Sequence, residues 1–250
     1  MRIVKEDFDK RKSEINKYFR FLSKLDTEKP KLTYKVKGAY NEKGVYKNYT
    51  IDTELLKILK ANGFLLIYNL VESFCRNSLL EILLSIENEK VCLKDLSEQV
   101  QKIWIKQNVR DLREANDINV EKQFHKIAKD IIEESIIDFK NIVEKMKNPE
   151  MQDKDVFGLS GNIDAQKIRT LAKMYGFESK LSNLKEKAGA DLVEIRSQRN
   201  QLAHGRITFV ECGATKSVPQ MIDYKNNAIT YLKAILVNIE VYINETKFKK

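Results

Sequence analysis

Near the C-terminal end of this 250-residue chain, the string Arg199-Asn200-Gln201-Leu202-Ala203-His204-Gly205 gathers a guanidinium, a carboxamide and an imidazole. An imidazole titrates near neutral pH and can take or give a proton, and a guanidinium presents a fixed fork of donors that fits phosphate oxygens. Such groups together suit proton transfer beside an anionic ligand. The chain holds only two histidines, His125 and His204. His125 has no pattern of acidic, cysteine or histidine partners around it and reads as a surface histidine. Arg199, Asn200 and His204 are therefore the candidate catalytic residues.

At about 100° per residue, Arg196, Asn200 and His204 stand one turn apart on a common helix face, and Arg199 borders it. Arg199 and His204 are about 140° apart on an ideal helix, so the arginine bends toward the histidine or each meets its working partner elsewhere. A structural reading of the same residues places His204 at a helix end, where its charge favours the C-terminal dipole, with Arg199 in a surface ion pair. The spacing alone recurs easily in shuffled chains. Its setting, at a helix end followed by glycine, singles it out.

A second candidate group lies between Gly63 and Ile86, which is apolar nearly all round, the mark of a helix at the centre of a bundle. Its polar exceptions Asn69, Glu72 and Arg76 fall at i, i+3 and i+7 and form one stripe. Burying them without partners is costly, so the stripe meets a polar cleft or other charged side chains, or a Glu72–Arg76 pair faces solvent. These three, with Arg196 and Arg206, are further candidate binding residues.

The elements that must position these groups are helical. Nine glycines, three prolines and 42% hydrophobic residues favour long helices over a turn-rich β-sandwich. Helical spacing predicts a first helix over residues 3–24 through Ile3, Phe8, Ile15, Phe19 and Leu22, closed off by Pro30. Residues 31–51 alternate Tyr or Val with Lys and carry two glycines, which suits an irregular loop or small hairpin; its four tyrosines either stack on bases or pack on neighbouring helices. Further helices are expected over 93–109 with the lone Trp104, over 120–146 as one long rod, and through Ile168 to Tyr175. Asn162 or Asp164 caps that last one and Gly176 ends it. Pro149, Gly158 and Gly161 mark a loop. A short polar helix is expected over 179–187, the motif helix over 190–204, a long loop or hairpin with Gly213 and Pro219 over 206–223, and a final helix over 224–242. The expected architecture is an all-α bundle of long antiparallel helices in a single domain, 1–250, with a small excursion near 27–51.

The formal charge of +9 is uneven: residues 1–50 hold 14 basic and 7 acidic side chains, 51–150 hold 15 and 18, and 151–250 hold 16 and 11. Basic ends point to a polyanionic partner such as nucleic acid. No run approaches the roughly 18–20 apolar residues of a membrane span, and acidic residues sit where a signal peptide would be apolar, so a cytoplasmic location without membrane contact is expected. Cys75, Cys92 and Cys212 lie far apart, as reduced thiols do. With two histidines, neither a metal centre nor any other cofactor is expected.

With these residues in view, the chain resembles the HEPN superfamily, whose hallmark is Arg, four to six residues, then His, often with a polar residue after the Arg; here that residue is Asn200. Leu65-Leu66-Ile67-Tyr68-Asn69-Leu70-Val71-Glu72-Ser73, then Leu159-Ser160-Gly161-Asn162-Ile163-Asp164-Ala165, then Arg199 to Gly205 follow the order and style of MAE-type HEPN-like nucleases of bacterial defence and toxin loci. The resemblance covers about residues 60–245 and leaves the basic stretch 1–50 outside. It implies a HEPN-like helical bundle that forms a homodimer, brings two Arg–His pairs into one cleft and cuts RNA without a metal. Scission by the RNA's own 2′-hydroxyl needs a group to take the hydroxyl proton, a group to protonate the leaving 5′-oxygen, and positive charge on the crowded phosphate. The resemblance thus implies Arg199 as phosphate clamp, His204 as acid or base, and Asn200 as the residue that orients histidine or phosphate, with Asn69, Glu72, Arg76, Arg196 and Arg206 binding RNA or shaping the cleft. It further implies a toxin or antiphage role, with a cognate antitoxin or regulatory protein as a further partner. One chain has one suitable histidine; a symmetric pair has two. Gly205-Arg206 follows the histidine, where toxins paired with a nucleotidyltransferase antitoxin carry a residue and then tyrosine, so regulation by tyrosine modification is not expected. The rival readings are a non-catalytic HEPN-like protein that binds RNA or neutralises a partner toxin, and a plain helical interaction module.

Overall fold

The computed structural model describes residues 1–28, 31–36, 45–114, 117–148, 157–159 and 162–250; Pro30, Gly38, Gly44, Pro149, Ser160 and Gly161 of the sequence reading lie outside them. Helix α1 (Arg2–Glu28) buries Val4, Phe8, Ile15, Phe19, Leu22 and Leu25, a stripe spaced by threes and fours with Lys and Glu on the opposite side. It lies along α2 (Thr53–Glu89), which is 37 residues long. Asp52 caps α2 by accepting the Leu55 N–H at 2.7 Å, and Lys90 in the left-handed region ends it. Because its residues are apolar nearly all round, α2 forms the axis of the core, from Phe64 and Ile67 to Ile82 and Ile86.

Between α1 and α2, strands β1 (Lys31–Val36) and β2 (Val45–Thr50) pair antiparallel, with Lys31 opposite Thr50 and Val36 opposite Val45. The remaining helices are α3 (Glu98–Glu114), α4 (Asp117–Ile132), α5 (Lys140–Lys147), α6 (Ala165–Tyr175), α7 (Asn183–Ala203), α8 (Phe209–Ala214) and α9 (Val218–Asn244). The architecture is all-α with one small hairpin, as the composition indicated.

Three expectations are corrected. The rod over 120–146 is broken into α4 and α5 by a turn in which Glu134 has φ 51°. Ile132 is left 79% exposed, while the segment after the turn gains partners at the end of α2. The Ile137 N–H donates to the Val91 carbonyl at 3.2 Å, and the Phe139 N–H donates to Glu87 Oε2 at 2.6 Å. Those bonds carry Phe139, Ile142, Val143 and Met146 into the core. Secondly, the polar helix over 179–187 and the motif helix are one continuous α7. Gly189 does not interrupt it; a Cβ there would come within 2.5 Å of the Tyr231 ring, so glycine is what lets α7 lie against α9. Thirdly, residues 206–223 are helical over most of their length. Thr208 and Glu211 form one capping box, and Ser217 and Gln220 form another, with Pro219 in the first turn of α9. Among the described residues, no helix is long and apolar enough to cross a membrane.

Candidate functional site

Helix α7 carries the motif, and its register divides the motif between a buried wall and open solvent. Arg196 and Asn200, one turn apart, both meet the segment just before α6. Arg196 forms an ion pair with Asp164, and the Asn200 amide donates to Asn162 Oδ1. Asp164 is buried and also caps α6, accepting the Lys167 N–H at 2.8 Å. One short segment therefore starts α6 and fixes two motif residues.

Arg199, on the adjoining face, points into α2. Its guanidinium carbon lies 4.5 Å from the centre of the Tyr68 ring, Nη2 is 3.8 Å from Glu72 Oε2, and Nη1 donates to Asn200 Oδ1 at 2.9 Å. The Tyr68 hydroxyl accepts the Ile163 N–H at 3.1 Å, which ties the same ring to the Asn162–Asp164 segment. Burial pushes the Tyr68 phenol above its ordinary value, so it stays protonated. Glu72 also meets Arg76 Nη2 at 3.4 Å. The Glu72–Arg76 part of the stripe thus meets another charged side chain: the pair is half-buried, with Arg199 added to it. Two guanidiniums against one carboxylate leave positive charge on this wall, the sign a phosphate requires.

Asn69, the third residue of the stripe, belongs to another network. It accepts from Arg11 of α1, and Arg11 Nε donates to Asp7 at 2.8 Å. Asp7 also accepts from Ser73 and from Asn77 at 3.0 Å. Burial works against the Asp7 carboxylate, yet the bonds from Ser73, Arg11 and Asn77 hold it below its ordinary value.

His204 sits at the end of the helix. Its backbone N–H donates to the Asn200 carbonyl at 3.0 Å. Gly205, at φ 64°, then turns the chain so that the Gly205 N–H reaches Leu202 O at 3.1 Å and the Arg206 N–H reaches Gln201 O at 2.9 Å. This is a Schellman closure, and its left-handed position favours glycine. The imidazole is exposed, and among the described residues no hydrogen bond or ion pair holds it. Arg206 beside it is exposed as well. Arg199 does not bend toward His204: the roughly 140° between them is realised as one side chain turned inward and the other outward.

Tyr68, Asn162 and Asp164 were not singled out as site residues from sequence, although all three lie within the strings that carry the family resemblance. The spacing of Asn162 and Asp164 gives no signal by itself; it is the burial of Asp164, seen only in the fold, that demands a cationic partner, and Arg196 supplies it. His125 is exposed, as expected. Cys75 and Cys212 are buried and Cys92 is half-buried. Burial pushes the Cys75 thiol up, and it pushes the Cys212 thiol up to about 11. Among the described residues, no three His, Cys, Asp or Glu side chains converge as a metal cage.

Compared with known protein families, residues 3–248 match the HEPN_MAE_28990-like HEPN family model, a stretch that takes in α1 and the hairpin as well as the motif. No curated protein and no solved structure matches the chain.

Proposed function

The chain belongs to the MAE_28990-like HEPN family, and from that premise we propose that it is an endoribonuclease that cuts RNA by 2′-hydroxyl attack at an Arg199–His204 site completed by a second copy. The observation that supports this most is the division of labour within the motif. Arg199 and Asn200 are braced against Tyr68, Glu72 and Asn162, while the His204 imidazole stands exposed at the helix end.

A phosphodiester seated on the wall meets the guanidinium of Arg199, whose stacking on Tyr68 fixes the plane of its donors. Asn200, locked by Asn162, orients the phosphate at the neighbouring position. The imidazole accepts the 2′-hydroxyl proton as the 2′-oxygen bonds to phosphorus. The bond from phosphorus to the 5′-oxygen breaks, and that oxygen takes a proton from an acid. A single chain offers one motif imidazole for two proton transfers; a twofold pair of chains supplies the second. This chemistry calls for no metal ion, and the basic wall suits a polyanion. The biological setting we propose is a toxin or antiphage effector restrained by a cognate antitoxin or regulatory protein.

The test is digestion of single-stranded RNA in EDTA by wild type and by His204→Ala. Products ending in 2′,3′-cyclic phosphate from wild type and none from the variant are expected. Equal cutting by both overturns the proposal, and tight, salt-dependent binding without product replaces it with a non-catalytic RNA-binding protein.

A further inference from the structure

The hairpin is the part of the molecule the catalytic reading does not use. Apart from Val36, every residue of β1 and β2 is exposed. Tyr40 lies outside the described residues, and the three hairpin tyrosines among them do not pack on neighbouring helices: Tyr34 is 46% exposed, Tyr49 49% and Tyr46 69%. Directly opposed residues of an antiparallel pair share a face, so the register sorts the side chains. One face holds Lys31 with Thr50, Thr33 with Asn48, and Lys35 with Tyr46. That face is occupied with itself. The Thr33 hydroxyl donates to Asn48 Oδ1 at 2.8 Å, and Lys35 Nζ lies 6.0 Å from the Tyr46 ring centre. The opposite face sets Leu32 against Tyr49, Tyr34 against Lys47, and Val36 against Val45. Here two diagonal tyrosine rings flank one ammonium, and Leu32 and Val45 complete an open apolar surface.

A lone two-stranded ribbon is marginal in water, and an exposed apolar face on it marks a place that something covers. Charge decides what. Residues 29–51 contain six lysines and one glutamate, so two copies apposed there repel, whereas a polyanion is attracted. Rings at the diagonal of a pleated surface, with a lysine between them, suit unstacked bases and their phosphates, and base faces are open only in a single strand.

We propose that the Leu32–Tyr34–Lys47–Tyr49 face is a landing platform for single-stranded RNA, with bases stacked on Tyr34 and Tyr49 and Lys47 on the intervening phosphate. The platform leads through Ile51 and Asp52 straight into α2. Tyr68, under Arg199, lies about 22 Å along that helix from Thr53. Moreover, the segment bearing His204 runs from Arg199 beside Tyr68 to Gly213, which packs on the Lys57 backbone, so the motif descends toward the hairpin end of α2. A strand landed on the hairpin is thereby directed to the cleft. This inference rests on RNA as the ligand, and not on cutting.

The test uses the full chain carrying His204→Ala and a labelled single-stranded oligouridine. Adding Tyr34→Ala and Tyr49→Ala is expected to raise Kd at least about tenfold, since each stacked base contributes measurably. Tyr34→Phe with Tyr49→Phe is expected to keep parental affinity, because it keeps both ring faces. Tyr34→Leu with Tyr49→Leu is expected to lose affinity as the alanine pair does. Unchanged helical circular dichroism in all variants confirms that the bundle stands. The platform is overturned if the parent binds no oligouridine, if the alanine pair binds as tightly as the parent, or if the leucine pair keeps affinity. A fall in solution mass with RNA affinity intact also overturns it, and assigns the face to a second copy. Tyrosine-dependent binding by a wild type that cuts nothing keeps the platform and removes the nuclease reading. A wild type that cuts, with an alanine pair that binds and cuts like its parent, does the reverse.

Discussion

Arg196 to Asn200 and Ala203 to Arg206 are consecutive stretches of one motif, yet the protein holds them in opposite ways. The first is woven into α2 and the Asn162–Asp164 segment through ion pairs, an amide bond and a ring face. The second ends in an exposed imidazole whose only structural task, closing the helix, is done by its backbone. A residue embedded in packing is costly to change for reasons of stability as well as function. A bare one that proves indispensable must act on something outside its own chain, a ligand or a second copy. This asymmetry lets stability and activity be separated along eleven residues.

The largest effect is expected at the bare end. His204→Ala should lower RNA cutting by about a thousandfold, in line with the loss of a general acid–base group, and should leave the unfolding free energy from urea denaturation within about 0.5 kcal/mol of wild type, as for other exposed sites. A variant that cuts normally, or one that unfolds, erases the contrast. At the anchored end, Arg199→Lys keeps the charge but loses the flat fork over Tyr68. Cutting should fall about a hundredfold, and denaturation should show a loss of about 1 kcal/mol that His204→Ala does not share. Asp164→Ala tests the brace itself. It removes the α6 cap and strands Arg196, so a loss of about 2 kcal/mol in chemical denaturation is expected. A variant as stable as wild type would show that the segment does not anchor the motif.

The smallest effect sharpens the contrast from outside the cleft. The Asp7 carboxylate is held below its ordinary value by Ser73, Arg11 and Asn77, so it contributes stability that is present above about pH 4 and lost as pH falls through its folded value. Urea midpoints between pH 5 and pH 3 should therefore fall more steeply for wild type than for Asp7→Asn. The difference should stay below about 1 kcal/mol for this half-buried, partly screened group. His204→Ala should leave that acid slope as it is.

The helical class and the central rod were legible because the apolar residues of α2 leave no polar side wide enough to face water. Part of the motif's geometry was legible because helical angles follow from spacing: Arg196 and Asn200 share a face, whereas His204, expected on that same face, stands at the helix end in solvent, apart from the segment that holds them. What escaped depended on partners distant in sequence. The break between α4 and α5 is set by Glu87 and Val91, some fifty residues away, which no local periodicity records. Gly189 reads as a helix breaker until the Tyr231 ring is placed beside it. The capping boxes at Thr208 and Ser217 were visible as spacings, but Gly213 and Pro219 between and after them suggested a loop. Gly213 is in fact demanded by contact, since a side chain there would overlap the Lys57 carbonyl. In the site, the strings that carry the resemblance included Tyr68, Asn162 and Asp164, and only folding revealed that they converge on Arg199, Asn200 and Arg196.

The most direct measurement follows cleavage per chain across a dilution series while solution mass is recorded on the same samples. If two imidazoles must share one phosphodiester, the rate per chain falls in step with the dimer fraction and vanishes where the protein is monomeric. A monomer that cuts at undiminished rate, or a dimer of wild type that never cuts, contradicts the account.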